Sequence, residues 1–148
     1  MRVLIFTLLA ACSVPSPEAR GIEVSDTYKV YNQDKALLLT QSYVEDEYGV
    51  DLGELFLDAQ VWWTDTPCPY SDGIAVIYKD RCYHGITFSC GEIYVAKKSN
   101  TTGDSALLHE FGHCLRFSMG MDGDEIHQDD KYWNLVREVQ LETRERGW

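Results

Sequence analysis

The chain has 148 residues, a length that suits a single domain, and its 45% hydrophobic and 25% charged residues exclude a disordered or collagen-like chain. Thirteen lysines and arginines against 24 aspartates and glutamates give a formal net charge of −11. Because an acidic surface repels phosphate backbones, nucleic acid is not expected as a partner.

An apolar run, Val3–Ala11, follows the basic residue Arg2 at the start of the chain. The run is shorter than the roughly 20 residues that a membrane-spanning helix requires, and it is typical of a secretory signal peptide. It ends in LAAC, whose last residue is Cys12, and this sequence resembles a bacterial lipobox. The resemblance implies cleavage before Cys12 and attachment of diacylglycerol to its thiol. The alternative is an ordinary signal peptide with an incidental cysteine.

We therefore expect residues 1–11 to be a lipoprotein signal peptide and the protein to be anchored by lipid in the bacterial envelope, at the outer membrane or the cell surface. Otherwise the protein is secreted. Proline and serine in residues 12–21 favour extended chain, which predicts a tether behind the lipidated Cys12. No second linker or internal repeat follows, so residues 22–148 are predicted to form one domain.

The domain begins with a short predicted strand or lead-in at 27–31. A helix is predicted from Asp34, whose side chain can cap it, to near Gly49. A buried turn or short strand follows at 52–57. Four β-rich runs come next, at 61–64, 73–78, 83–88 and 92–96.

Two further helices are predicted after these runs. The first spans about Asp104 to Phe117 and is entered through residues 100–103. The second spans about Asp130 to Arg146 and carries Trp133, Val136 and Val139 on one face. The order of elements predicts a layered α+β or α/β arrangement, of which we adopt α+β: a small, twisted mixed sheet packed on helices.

Four cysteines remain beside Cys12, an even number that is typical of a small exported domain with disulfides. A zinc ribbon would require closely spaced CxxC pairs, which the sequence lacks. Four cysteines allow three pairings, and we expect one bond across a loop and one between a strand and a helix. The expected pairs are Cys68–Cys82 and Cys90–Cys114.

Residues 109–113 read HExxH within the predicted helix. Residues four apart share one face of a helix, so His109 and His113 can both bind one zinc ion about 2 Å from each nitrogen. A zinc-bound water has its pKa lowered to about 7, and Glu110 is close enough to take its proton as general base. The alternative is a helix whose two histidines are satisfied within the fold. We favour a hydrolytic zinc site.

At these residues the sequence resembles the zincin metallopeptidases, and the strands before the helix are similar to small metzincin-type domains. The resemblance implies a twisted sheet, an active-site helix along the floor of a cleft and a third zinc ligand beyond that helix. It also implies that a peptide binds antiparallel to the edge strand, which we place at 83–88.

The third ligand departs from the metzincin pattern HExxHxxGxxH, because Arg116 and Met119 stand where the pattern has glycine and histidine. A flexible turn with glycines at 120 and 123 precedes His127, which we predict as the third ligand. Asp122 and Asp129 are alternatives, as in zincins that use aspartate. A glutamate of the last helix, at 138 or 142, would indicate a thermolysin-like arrangement.

Other residues carry weaker hypotheses. Met119 and Met121 precede His127, unlike a metzincin Met-turn, and are expected to pack. Tyr132 could stabilise an oxyanion but is expected in the core or at the surface, and His84 is expected to be structural or solvent-facing. The acids at 122–130 lack EF-hand spacing for calcium.

Together these observations predict a monomeric zinc endopeptidase in which Glu110 assists the attack of a zinc-bound water on a peptide bond. Its substrate would be an envelope protein, an external protein or a peptidoglycan peptide. The first alternative is a non-catalytic lipoprotein with a structural zinc, or a degenerate zincin fold that binds a partner. The second is a zinc hydrolase that cleaves a non-peptide bond.

Overall fold

The computed structural model of the chain describes residues 16–25, 32–97, 105–121 and 124–148. Four predicted features lie outside these residues: the signal peptide with Cys12, the short strand at 27–31, the helix entry at 100–103 and Asp122. Within the described part, no helix is both long enough and apolar enough to cross a bilayer.

The described residues form an α+β fold, as predicted. The helices are α1 (Pro17–Arg20), α2 (Gln33–Tyr48), α3 (Leu55–Asp58), α4 (Ser105–Ser118) and α5 (Asp130–Glu145), and a 3-10 turn, Asp124–Gln128, precedes α5. The strands are β1 (Val61–Thr64), β2 (Val76–Tyr78), β3 (Arg81–Tyr83), β4 (Gly85–Ser89) and β5 (Glu92–Ala96).

Three of the strands form one mixed sheet in the order β1-β5-β4, with β1 parallel and β4 antiparallel to β5. Strand β4 therefore lies at an edge of this sheet. Strands β2 and β3 pair separately as an antiparallel hairpin. Its turn residues Lys79 and Asp80 have φ of 49° and 58°, and positive φ at both central residues is the requirement of a tight type I′ turn.

The prediction of a single strand at 83–88 is wrong. The chain bends at His84, so that Tyr83 ends the hairpin and Gly85 begins the edge strand. The backbone oxygen of His84 accepts a hydrogen bond from the amide of Ala96 at 2.8 Å, which fixes the bend against β5. The edge-strand position itself is as expected, but it belongs to β4 alone.

The main core lies between this sheet and helices α2, α4 and α5. Strand β5 is buried along its whole length because it is the central strand and both of its faces are covered. The helices contribute apolar residues that repeat every three or four positions, the pattern of a buried helix face. They include Leu37 and Val44 of α2, Leu107, Leu108, Phe111 and Leu115 of α4, and Val136 and Val139 of α5.

The N-terminal segment covers the other face of the sheet. Ile22 is buried there with Val76 and Tyr94. Arg20 donates to both carboxylate oxygens of Glu92 at 3.0 Å, and its guanidinium lies 4.4 Å from the centre of the Phe88 ring. The last residues of the predicted tether are therefore folded against the domain. The prediction missed this because the contacts join residues about 70 positions apart.

Both predicted disulfides are present. Cys68–Cys82 closes the loop between β1 and the hairpin, and Cys90–Cys114 joins the turn after β4 to helix α4. Because Cys114 directly follows His113, the second bond fixes the helix that carries the HExxH residues to the sheet.

Candidate metal centre

Helix α4 brings His109, Glu110 and His113 to one cleft. The apolar residues of α4 face the core. The side of the helix that carries His109, Glu110 and His113 faces the cleft beside edge strand β4. The Nε2 atoms of His109 and His113 are 3.1 Å apart. The cleft, which we call the metal cleft, has a volume of about 610 Å³ and is lined by both histidines, Glu110 and residues of β4.

The 3-10 turn before α5 adds His127 to this pair. The Nε2 atom of His127 is 3.3 Å from that of His109, and one ring nitrogen from each of the three histidines lies within 4.8 Å of the others. Two ligands of a tetrahedral ion with bonds of about 2.0–2.1 Å lie about 3.3 Å apart. The spacing therefore fits three imidazoles that share one metal ion.

The protonation state of His109 also suits metal binding. Burial, together with the neighbouring His113 and His127, lowers the pKa of His109 from its ordinary 6.5 to about 4. A metal binds only the neutral imidazole, so a histidine that is already neutral at pH 7 releases no proton on binding. His109 thus presents its nitrogen in the form that coordinates.

Trp133 packs against His109 of the site. Its predicted position on the buried face of α5 did not indicate this contact. Its ring lies 4.6 Å from the His109 ring at an interplanar angle of 23°, a stacked arrangement. This contact restricts rotation of the imidazole about its side-chain torsions. Only the packing of α5 against α4 brings the two rings together, so the sequence held no local signal for it.

Asp129, an alternative for the third ligand, is engaged elsewhere. Its carboxylate accepts hydrogen bonds from Arg116 Nη1 at 2.6 Å, from the Tyr48 hydroxyl at 2.8 Å and from the amide of Tyr132 at 3.1 Å. Burial acts to raise the pKa of Asp129, but these hydrogen bonds hold it below its ordinary value. Asp129 therefore caps α5 and fixes the turn instead of joining the histidines.

The thermolysin-like alternative is not supported either. Glu142 accepts a hydrogen bond from the Tyr43 hydroxyl at 2.8 Å and pairs with Arg146, and Glu138 is exposed on α5. Neither belongs to the group of side chains that could hold the ion with His109 and His113. Asp122 lies outside the described residues.

Glu110 points into the same cleft and is held by edge strand β4. Its side chain is only 6% exposed, and this burial raises its pKa from 4.5 to about 7, against the opposing effect of a hydrogen bond from Thr87. The Thr87 hydroxyl lies 2.8 Å from carboxylate oxygen Oε2. A Cβ atom at Gly85 would lie 2.4 Å from Cγ of Glu110, so only glycine leaves room for this position.

The residues with weaker hypotheses are accounted for as follows. Tyr132 is a core residue, and its hydroxyl donates to the backbone oxygen of Leu108 at 2.9 Å. Its ring fills the space beside Gly112, because a Cβ atom at Gly112 would lie 1.9 Å from the Tyr132 hydroxyl oxygen. Met119 packs against the core and Met121 is half-buried. His84 is exposed at the end of the metal cleft.

No protein-family model, no curated protein and no solved structure matches the chain. The site itself combines three convergent imidazoles with a carboxyl group that exchanges its proton near neutral pH. This combination can bind a metal ion and move a proton beside it.

The raised pKa of Glu110 predicts a pH-dependent stability in the metal-free protein. In the folded state Glu110 keeps its proton up to pH 7, whereas in the unfolded state it releases the proton near pH 4.5. The stability that protonated Glu110 contributes is therefore complete below pH 4.5 and is lost as the pH rises to 7. We expect Glu110→Gln to gain stability over wild type across this window, by up to about 3 kcal/mol.

Urea unfolding in the presence of a chelator at several pH values measures this difference. Glu138→Gln, the same substitution on the exposed side of α5, is the control. A Glu110→Gln difference that stays constant between pH 4.5 and 7 would contradict the assignment.

Proposed function

We propose that the protein is a zinc-dependent endopeptidase, carried to the bacterial envelope by its signal peptide and anchored through lipid on Cys12. One observation carries the catalytic part of this proposal. The carboxyl group of Glu110 lines the same cleft in which the ring nitrogens of His109, His113 and His127 lie close together. A site that only held a structural ion would not need this buried acid. The lipid anchor rests on the lipobox sequence.

The donor set favours zinc. Three imidazole nitrogens within 4.8 Å of one another, with no fourth side chain of the described part in the group, match the three-ligand pattern of catalytic zinc. When bound, the ion would supply Lewis-acid chemistry, lowering the pKa of a water molecule and polarising a carbonyl oxygen. Trp133 would keep the His109 ring in its binding orientation.

Glu110 is the proposed general base. Burial raises its pKa to about 7 in the metal-free protein, and beside a bound zinc it would accept a proton from the attacking water and return it to the leaving amine. The Thr87 hydroxyl holds one carboxylate oxygen. The other oxygen is left for the proton transfer.

The cleft suits a peptide substrate. Edge strand β4 offers backbone groups that can pair with an extended chain, and β-strand addition at a sheet edge is a common mode of peptide recognition. Apolar side chains, including Ile86 and the 42% exposed Phe117, line the cleft. They would contact substrate side chains on either side of the bond, consistent with the resemblance to zincins.

Cleavage of an unfolded protein tests this function. The full chain, purified after processing in a bacterial host, is loaded with zinc and incubated with β-casein, and new termini are identified by mass spectrometry. We expect cleavage that a chelator abolishes and zinc restores. Glu110→Gln should lower the rate at least about a hundredfold while zinc content is unchanged, because only proton transfer is lost.

Glu138→Gln is the matched control and should cleave like wild type, since its side chain is exposed on α5. A zinc-loaded, folded protein that cleaves no peptide bond would contradict the proposal and favour the non-catalytic lipoprotein. Equal activity of Glu110→Gln and wild type would remove Glu110 from the mechanism.

Thr87 provides a second test, because Val is isosteric with Thr but lacks the hydroxyl. We expect Thr87→Val to lower kcat about tenfold with KM within about twofold, since a hydrogen bond to a charged group is worth about 1.5–3 kcal/mol. Thr87→Ser keeps the hydroxyl and should restore most of the rate. An unchanged kcat in Thr87→Val, or loss of activity in both variants, would show that the hydroxyl does not position Glu110.

A further inference from the structure

A second cavity adjoins the metal cleft. It has a volume of about 640 Å³ and lies between the loop closed by Cys68–Cys82 and the residue after β5, Lys97. Tyr83 and His84 line both cavities, so the two cavities lie next to each other at the bend between β3 and β4. Each is of the size that takes a drug-sized ligand, about 300–1,000 Å³.

The walls of the second cavity are built independently of any ligand. The Cys68–Cys82 disulfide ties the loop to β3. Within the loop, the amide of Cys68 donates to Gly73 O and the amide of Ala75 donates to Thr66 O, both at 2.9 Å. A cavity whose walls are held by a disulfide and backbone hydrogen bonds loses little conformational entropy when it binds an extended ligand.

The direction of β4 determines which part of a substrate would reach this cavity. The strand begins at Gly85, beside the second cavity, and runs past Thr87, beside Glu110. An added strand can pair with an edge in either sense, and the resemblance to zincins implies the antiparallel one, in which the peptide runs opposite to β4. After passing Glu110, which lies beside both Thr87 and Gly85, its chain therefore continues towards His84 and the second cavity.

We infer that the second cavity binds the part of the substrate that follows the cleaved bond, so that the substrate is an extended polypeptide. This inference rests on the proposed function. The second cavity lies beyond the metal cleft, so a substrate that fills both must extend past the bond beside Glu110. The rim residues Ser71, Asp72 and Lys97 would contact the polypeptide beyond the reach of the metal cleft.

Binding to the inactive variant tests the inference without any turnover. The probe is fluorescein-labelled β-casein, and the protein is the zinc-loaded full chain carrying Glu110→Gln. Adding Ser71→Trp places a large ring on the exposed rim of the second cavity, and we expect the Kd measured by fluorescence anisotropy to rise about tenfold. Ser16→Trp, at an exposed serine outside both cavities, should change the Kd less than twofold.

Asp72→Tyr, at the neighbouring exposed rim position, is the second variant, and thermal melts identify any variant that does not fold. An unchanged Kd in folded Ser71→Trp and Asp72→Tyr would overturn the inference. If these variants weaken binding but wild type cleaves no casein, the proposed function fails while a polypeptide-binding cavity stands.

Cleavage rates then test the direction. Synthetic peptides that share one bond cleaved in β-casein are extended by two, four or six residues on either side of it. We expect kcat/KM to rise at least tenfold with extension after the bond, and Ser71→Trp to reduce that gain. A gain only from extension before the bond, or faster cleavage of a disaccharide pentapeptide than of any casein peptide, would overturn the inference.

Discussion

The candidate centre depends on the ion pair between the buried Arg116 and the partly exposed Asp129. Arg116, at the end of α4, is 3% exposed and donates to Asp129 at 2.6 Å, just before α5. The 3-10 turn with His127 lies between these two residues in sequence, so the pair closes the turn over the first two histidines. Removing Asp129 would cost up to about 3–5 kcal/mol, because the Arg116 charge would stay buried without this partner. The chain leaves α4 through Gly120, whose φ is 71°, and the ion pair then holds the turn that carries His127.

Contacts with the sheet hold Glu110 on α4, just as the ion pair holds the turn that carries His127. Cys114 ties the helix to the turn after β4, Thr87 holds the Glu110 carboxylate, and Gly85 leaves the space for it. One edge strand therefore orients the Glu110 carboxylate and, in the proposed function, would also offer its backbone to a substrate. Pairing of a peptide with β4 would bring the scissile bond beside Glu110, which links recognition to chemistry through a single element.

Much of the fold and half of the site were predictable because they depend on local patterns. The i, i+4 spacing of His109 and His113 follows from helix geometry, runs of β-branched and aromatic residues indicated the main strands, and the even count of cysteines indicated disulfides. His127 was predicted from its place beyond a turn. The contacts of Thr87 and Trp133 were not predictable, since each joins residues more than 20 positions apart whose approach depends on how helices pack on the sheet.

The central claim is that three histidines bind one zinc ion and leave a position open for water. X-ray absorption at the zinc edge of the zinc-loaded full chain measures this directly. We predict one zinc per chain, with three imidazoles and one further oxygen or nitrogen at about 2.0–2.1 Å, and loss of one imidazole shell in His127→Ala. A sulfur ligand at about 2.3 Å, or an unchanged spectrum in His127→Ala, would contradict the account.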